Sequence, residues 1–342
     1  MAKQRQRLSD RKSKVTISDV ARLAQVSDST VSRIMRNHGL IADATRSRVM
    51  EAVRALGYVP NRIAGSLASL DSRLVGVVIP SLSNIVFPEV LQGINAGLAG
   101  TNRQSVISVT DYDLDKEEIV VRNLLAWQPA AVLIAGSTHT DATRRMLDQS
   151  GIRIVEFMEI DHPPVDVAVG LSHIAAGRVT AQHLLARGYR RFGYVGYSGS
   201  TDLRARMRYD GFRTALAQAG VALQAESLSD GQTSVGKGRV QTADLCARAP
   251  GVEVVVYSND DMAVGGLFHC LAAGIRVPQD LALFGFNGLD IGRELPQPLS
   301  TIRSNRFKIG QCAVEVFLQN PVRPAEPSII DTGFEVFEGA TA

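Results

Sequence analysis

The 342-residue chain is short of several things that mark out common protein classes. Its three cysteines, Cys246, Cys270 and Cys312, are far apart, which excludes a disulfide framework or a paired-thiol metal site and suits free, buried thiols in a reducing compartment. His139, His162 and His173 are scattered without metal-ligand spacing, so no metal is expected and these histidines are given no chemistry. No apolar run approaches the roughly 20 residues of a membrane span, and the N-terminus has no apolar signal-peptide core. A cytoplasmic protein with no membrane partner is therefore expected. No G-x-G-x-x-G follows a strand and no Walker motif is present, so neither a nucleotide nor another cofactor is expected. There is also no G-x-S-x-G or comparable constellation, and Ser172-His173 and Asp260-Asp261 have no orienting third group. No catalytic residue is assigned, and an enzyme is not expected.

What is present begins with an uneven charge. The net charge is +3, but residues 1–70 carry thirteen Lys/Arg against five Asp/Glu, leaving a head of +8 on a body of −5. A basic head on a mildly acidic body implies that the head alone meets a polyanion. The head has no basic amphipathic helix with a broad aromatic face, so double-stranded DNA is favoured over a membrane surface. Residues 1–14 hold six basic groups and almost nothing apolar. They read either as a disordered arm lying along phosphates or as a solubilising tail.

Residues 15–60 carry the most specific pattern. Ile17, Val20, Ala21 and Ala24 fall at helical spacing, and after a short break Val31, Ile34 and Met35 give a second apolar stripe. Thr16 or Ser18 can cap the first helix, and Ser27 or Asp28 the second. Two such helices about three residues apart form a helix-turn-helix whose second helix enters the major groove. Its outer face offers Asp28, Ser29, Thr30, Ser32, Arg33, Asn37 and His38 to base edges and phosphates. A solvated polar helix face is the alternative.

The sequence after these helices decides between the two. A third helix, 43–56, leads into G-Y-V-P-N-R. Taken together, V-T-I-S-D-V-A, V-S-x-x-T-V-S-R and G-Y-x-P-N-R-x-A-x-x-L resemble the headpiece of the LacI/GalR family of bacterial transcription factors. The resemblance implies DNA contacts at Thr16, Ser18 and Ser27 as well as along the second helix. It also implies a hinge over 61–71, with Asn61, Arg62 and Ala64, that turns helical on a pseudo-palindromic operator. Two copies in a homodimer then wedge Leu67 into the minor groove.

From residue 74 the texture changes. Continuous apolar runs at 74–80, 104–109, 130–134, 153–157, 192–195, 252–257 and 281–286 suit strands buried on both faces. Amphipathic stretches of helical period lie between most of them. The fold class expected is α/β, with two doubly wound parallel-sheet subdomains behind the headpiece. The whole core spans 72–342, with a first subdomain over about 72–160 and a second over about 161–300. As in the resembled family, the C-terminal stretch is expected to return to the first, giving a periplasmic-binding-protein-like core. A transport-type binding protein shares that architecture, but it would carry a signal peptide and no basic headpiece.

In open α/β sheets ligands bind beyond the carboxyl ends of the strands. The segments there supply Ser83, Phe87, Ser137, Glu156, Arg208, Asn259 and Asn287 as candidate effector contacts. Amides, hydroxyls and arginine with few aromatics suit a polyhydroxylated, anionic small molecule better than a flat heterocycle. Structural alternatives stand beside four of them: an ion pair of Arg208 with Asp202 or Asp210, a helix cap for Asn259, a turn for Asn287 and a sheet-edge position for Glu156. The resemblance makes Arg208 and Asn259 effector contacts. It also places Asn287 and Met158 where relatives commonly carry an acid. Together with I-P-S-L-S-N-I-V-F, V-E-F-M-E, V-A-V-G-L-S and G-F-N-G-L-D-I-G, these departures look like the gluconate-operon repressor subgroup. They imply an aldonate effector, gluconate or 2-ketogluconate.

Overall fold

The computed structural model describes residues 15–35, 41–59, 72–197, 202–229 and 231–342. Asn37, His38, Asn61, Arg62, Ala64, Leu67, the basic arm and the whole 61–71 hinge therefore lie outside the described residues. The chain divides into two compact units, residues 1–71 and 72–342.

The first unit is built on α1 (Ile17–Ala24), α2 (Asp28–Met35) and α3 (Asp43–Leu56). Thr16 caps α1 in a reciprocal box: its hydroxyl accepts from the Asp19 amide while the Asp19 carboxylate accepts from the Thr16 amide. Gln25 takes a left-handed conformation (φ 54°) and turns the chain. Ser27 caps α2 through the Thr30 amide. The apolar stripes then meet in one small core of Val20, Ala21, Ala24, Val31, Ile34, Val49 and Ala52.

The second unit contains two six-stranded sheets. The first has the order β11-β5-β4-β3-β1-β2, from β1 (Leu74–Ile79), β2 (Gln104–Val109), β3 (Ala131–Ala135), β4 (Arg153–Glu159), β5 (Val167–Leu171) and β11 (Ser328–Asp331), all parallel. The second has the order β12-β10-β9-β8-β6-β7. Its strands are β6 (Phe192–Tyr197), β7 (Leu223–Ser229), β8 (Val254–Tyr257), β9 (Ala282–Asn287), β10 (Ser300–Ser304) and β12 (Phe334–Phe337). Only β12 runs antiparallel to its neighbour. The helices α4 (Val86–Leu98), α5 (Leu114–Ala126), α6 (Asp141–Gln149), α7 (His173–Ala186), α8 (Leu203–Gln218), α9 (Val235–Arg248), α10 (Asp260–Ala273), α11 (Asp290–Arg293) and α12 (Arg306–Gln319) connect them.

The exchange between halves falls after Leu171, not near residue 160, because Val167–Leu171 still pairs with β4 in the first sheet. The chain returns after Ser304, when α12 packs on α4, then lays β11 beside β5 and crosses once more to β12. One close contact between α7 and α8 sets the geometry of the cleft. A side chain at Gly177 on α7 would begin 2.0 Å from the Arg208 carbonyl on α8, so only glycine lets the two helices approach this closely. That approach brings His173, at the start of α7, beside the Arg208 side chain.

Candidate functional site

In the helix-turn-helix, the cap residues Thr16 and Ser27 are engaged by backbone amides. The Ser18 hydroxyl donates to the Asp28 carboxylate at 2.6 Å and ties the two helices together. Ser29 and Arg33, one turn apart on α2, are exposed, and Thr30 and Ser32 are half-buried beside them. The described part of the predicted face is thus a polar surface backed by Val31 and Ile34. Replacing Thr16 by alanine is expected to cost about 1 kcal/mol of headpiece stability. With only seven buried apolar residues in this core, that loss should appear as weaker DNA binding on warming, and Thr16→Ser should keep most of the stability.

In the core unit, the carboxyl ends of β1, β2, β3 and β4 open on a cavity of about 510 Å³, lined among others by Thr110, Tyr112, Ser137, Glu159 and Arg204. Ser137 is 4% exposed, and its hydroxyl is sealed from water with no hydrogen-bond partner. Phe87 is fully buried on α4, with the Arg204 guanidinium 5.6 Å from its ring centroid. Ser83 is exposed and accepts from Gln232 Nε2 at 3.3 Å, a contact between the two halves.

Arg208 stands one helical turn beyond Arg204 on α8 and is not itself among the residues lining this cavity. It does not pair with Asp202 or Asp210; Arg206 takes Asp210 instead. The Arg208 guanidinium lies 3.9 Å from the Phe286 ring centroid, donates to the Ser258 carbonyl at 3.0 Å and donates to His173 Nδ1 at 3.0 Å. His173 Nε2 in turn donates to the Met158 carbonyl at 3.0 Å. Burial, with Arg208 and Arg204 nearby, pushes His173 well below the ordinary imidazole range, so it is neutral and carries its proton on Nε2. The hydrogen-bond and ring partners of Arg208 are all neutral and its Nε–H has none; burial lowers its pKa, partly offset by the charge of Asp202.

Asn259 does cap α10, accepting from the Met262 amide at 3.1 Å, while its Nδ2 donates to Thr233 at 2.6 Å. Asn287 has φ 124° and gives its carbonyl to Arg306, whose other nitrogens hold Glu89. Met158 has φ 83°. Two non-glycine residues with positive φ thus stand at strand ends bordering the cleft, which is where backbone strain is commonly found at binding sites. Asparagine tolerates positive φ and a turn is expected at Asn287, but nothing in its residue type signals Met158.

Glu156 is a correction. It lies on the central strand β4, not at an edge, and is fully buried, but its oxygens go elsewhere than the cavity. One accepts from the Val165 amide at 2.6 Å, and the other is 3.3 Å from His139 Nε2. His139 Nδ1 lies 2.7 Å from Glu117, so a fully buried imidazole is held between two carboxylates. Burial alone would depress His139, but the hydrogen bond to Glu117 and the charges of Glu117 and Glu156 outweigh it and raise the pKa to about 9. A carboxylate buried in mid-sheet requires such a partner. His139 and His173, given no chemistry from the sequence, are therefore both structural keystones. Sequence reasoning also missed Arg204 and Tyr112. No group of three or more His, Cys, Asp or Glu among the described residues could hold a metal, and no described helix is long and apolar enough to cross a membrane.

Comparison with known proteins agrees with this geometry. Residues 16–61 match the lacI family of bacterial regulatory proteins, and residues 181–335 match a periplasmic binding protein-like domain. The HTH-type transcriptional regulator GntR of Pseudomonas aeruginosa is 39% identical over 324 residues, 94% of each chain. Its Escherichia coli K12 namesake is 32% identical over 339 residues, 97% of this chain and 99% of the relative. The crystal structure of a LacI-family transcriptional regulator from Silicibacter pomeroyi superimposes with a TM-score of 0.91 at 44% identity, covering 96% of this chain and 99% of that one. The chain is a member of the LacI family of DNA-binding transcriptional regulators, a helix-turn-helix joined to a two-sheet ligand-binding fold, and not an enzyme.

Proposed function

We propose that the protein is a homodimeric repressor of aldonate catabolism, of the gluconate or ketogluconate type, released from a pseudo-palindromic operator when the aldonate binds. The observation that carries the effector class is a charge imbalance. Two guanidiniums, Arg204 and Arg208, stand at the cleft and neither joins a salt bridge among the described residues; the Asp202 carboxylate, which caps α8, acts on Arg208 only at longer range. A desolvated cation without a counter-ion is costly unless a ligand supplies the anion. The sequence resemblance to gluconate-operon repressors and the relatives named GntR point the same way.

Contacts across the cleft, Gln232 to Ser83 and Arg204 over Phe87, support a reading in which ligand closes the two halves and thereby changes the spacing of the headpieces. The test is calorimetry and thermal shift with gluconate, 2-ketogluconate, glucose, ribose and guanine. An aldonate at a hundredfold excess over its Kd should stabilise the protein by about 2.7 kcal/mol and weaken operator binding in a mobility-shift assay. A neutral sugar or purine bound more tightly than every aldonate would overturn the effector class and leave the DNA-binding assignment standing.

A further inference from the structure

Arg204 and Arg208 are four residues apart on α8 and so project from one face of that helix. Their side chains nevertheless diverge. Arg208 stays within its own half, against Ser258 and Phe286, with His173 beside it. Arg204 crosses to the other half. Its guanidinium stands over Phe87, lies near the Tyr112 hydroxyl, and places Nη1 3.8 Å from where a side chain at Gly136 would begin. Gly136 has φ +96°, a conformation that suits glycine and makes this turn after β3. The next residue is Ser137, whose buried hydroxyl has no partner and which lines the same cavity as Arg204 and Tyr112.

The carboxylates of that cavity wall are mostly engaged already. Asp111 pairs with Lys116, Asp113 caps the amides of Asp115 and Lys116, Glu117 holds His139, and Glu159 lies 3.2 Å from His162. Asp115, at the first turn of α5, is exposed. What remains is the Arg204 guanidinium, which joins no salt bridge among the described residues, and the Ser137 hydroxyl, which has no partner; a guanidinium with a hydroxyl donor is a pair that a carboxylate accepts well.

We infer that Arg204, with Ser137 and Tyr112, forms the subsite that reads the acid group of the effector, while Arg208 serves its hydroxyls. This rests on the aldonate reading and assigns it a specificity-determining residue. Because Arg204 belongs to one half and Ser137 to the other, a carboxylate seated between them joins the halves. The charge of the ligand is thus the feature that favours closure, and a neutral polyol of the same length lacks it.

The test compares gluconate with glucitol, its neutral counterpart, on the full-length protein. Wild-type protein should prefer gluconate. Arg204→Met should weaken gluconate by about 30-fold and leave glucitol nearly unchanged, abolishing the preference. Ser137→Ala, on the opposite half, should weaken gluconate by a smaller factor in the same selective way, and it provides the reading if Arg204→Met does not fold. Small-angle scattering should show gluconate compacting the wild type but not Arg204→Met. A wild type that prefers gluconate, combined with an Arg204→Met protein that keeps the preference, sinks this assignment alone. A wild type that binds glucitol as well as gluconate sinks the aldonate reading and this one with it.

Discussion

Arg208→Ala is expected to weaken gluconate and glucitol alike, by about 10- to 100-fold, while leaving operator affinity unchanged. A hydrogen bond to a charged donor contributes about 1.5–3 kcal/mol, which corresponds to that range. The guanidinium is held by His173, Ser258 and Phe286, so its orientation is set before a ligand arrives and little ordering cost remains. The expected phenotype is a repressor that binds DNA and no longer responds to the effector. Arg208→Lys should not restore the response, because an ammonium cannot reach His173 and Ser258 together in the planar fork. Titrating both ligands by calorimetry, with operator affinity measured alongside, checks this. Loss of operator binding together with ligand binding would mean that Arg208 serves the fold and not the site.

The second large effect concerns stability. Removing His139 leaves Glu117 and Glu156 buried together without their shared cation, and His139→Ala is expected to destabilise the core by about 3–5 kcal/mol. Changing all three at once, Glu117→Gln, His139→Leu and Glu156→Gln, should recover much of that loss, since the buried charges then disappear together. The triad also predicts a pH dependence of definite sign. The folded pKa of His139, about 9, lies above its unfolded value near 6.5, so folding strengthens proton binding. Its contribution is fully present below about pH 6.5 and is lost as pH rises through about 9. A shift of this size corresponds to roughly 3 kcal/mol, at 1.36 kcal/mol per unit. Denaturant unfolding between pH 6 and pH 9.5 should therefore show a decline in the wild type that the triple variant lacks. A flat wild-type profile would overturn the triad's electrostatic role.

The α/β alternation was readable because strands such as Leu74–Ile79 and Ala131–Ala135 are covered on both faces and become unbroken apolar runs. Gln104–Val109 is an exception and a correction: it reads as an apolar run, but it is an edge strand with no fully buried residue, not one buried on both faces. Elsewhere the signal fails with the condition. Leu223–Ser229 is an edge strand with alternating burial, and Asp141–Gln149 is a polar helix recognisable mainly by its Thr140 cap. Val167–Leu171 is fully buried, but nothing in five apolar residues says which of two similar sheets they join.

The site divides in the same way. Asn259 caps the helix that directly follows β8, where local rules place ligand groups, whereas Arg208, in the second turn of α8, is singled out by its sequence motif. Glu156 misled because an acid in an apolar run suggests function, and its partner His139 becomes its neighbour only through the pairing of β3 with β4. Tyr112 and Arg204 meet only after the two halves are assembled, so no local pattern connects them.

The three crossings between the sheets, at Leu171–His173, Ser304–Arg306 and Asp331–Phe334, mean that neither half is one continuous stretch of gene. A fragment ending at Leu171 would lack α12 and β11, baring the α4 surface that carries Val90 and Ile94. A fragment from His173 to Ser304 would lack β12 at the edge of its sheet. Exchanging one half with that of a relative, to move effector preference between regulators, therefore takes three simultaneous splice points. A protease nick at any one crossing would still leave two covalent tethers holding the cleft together.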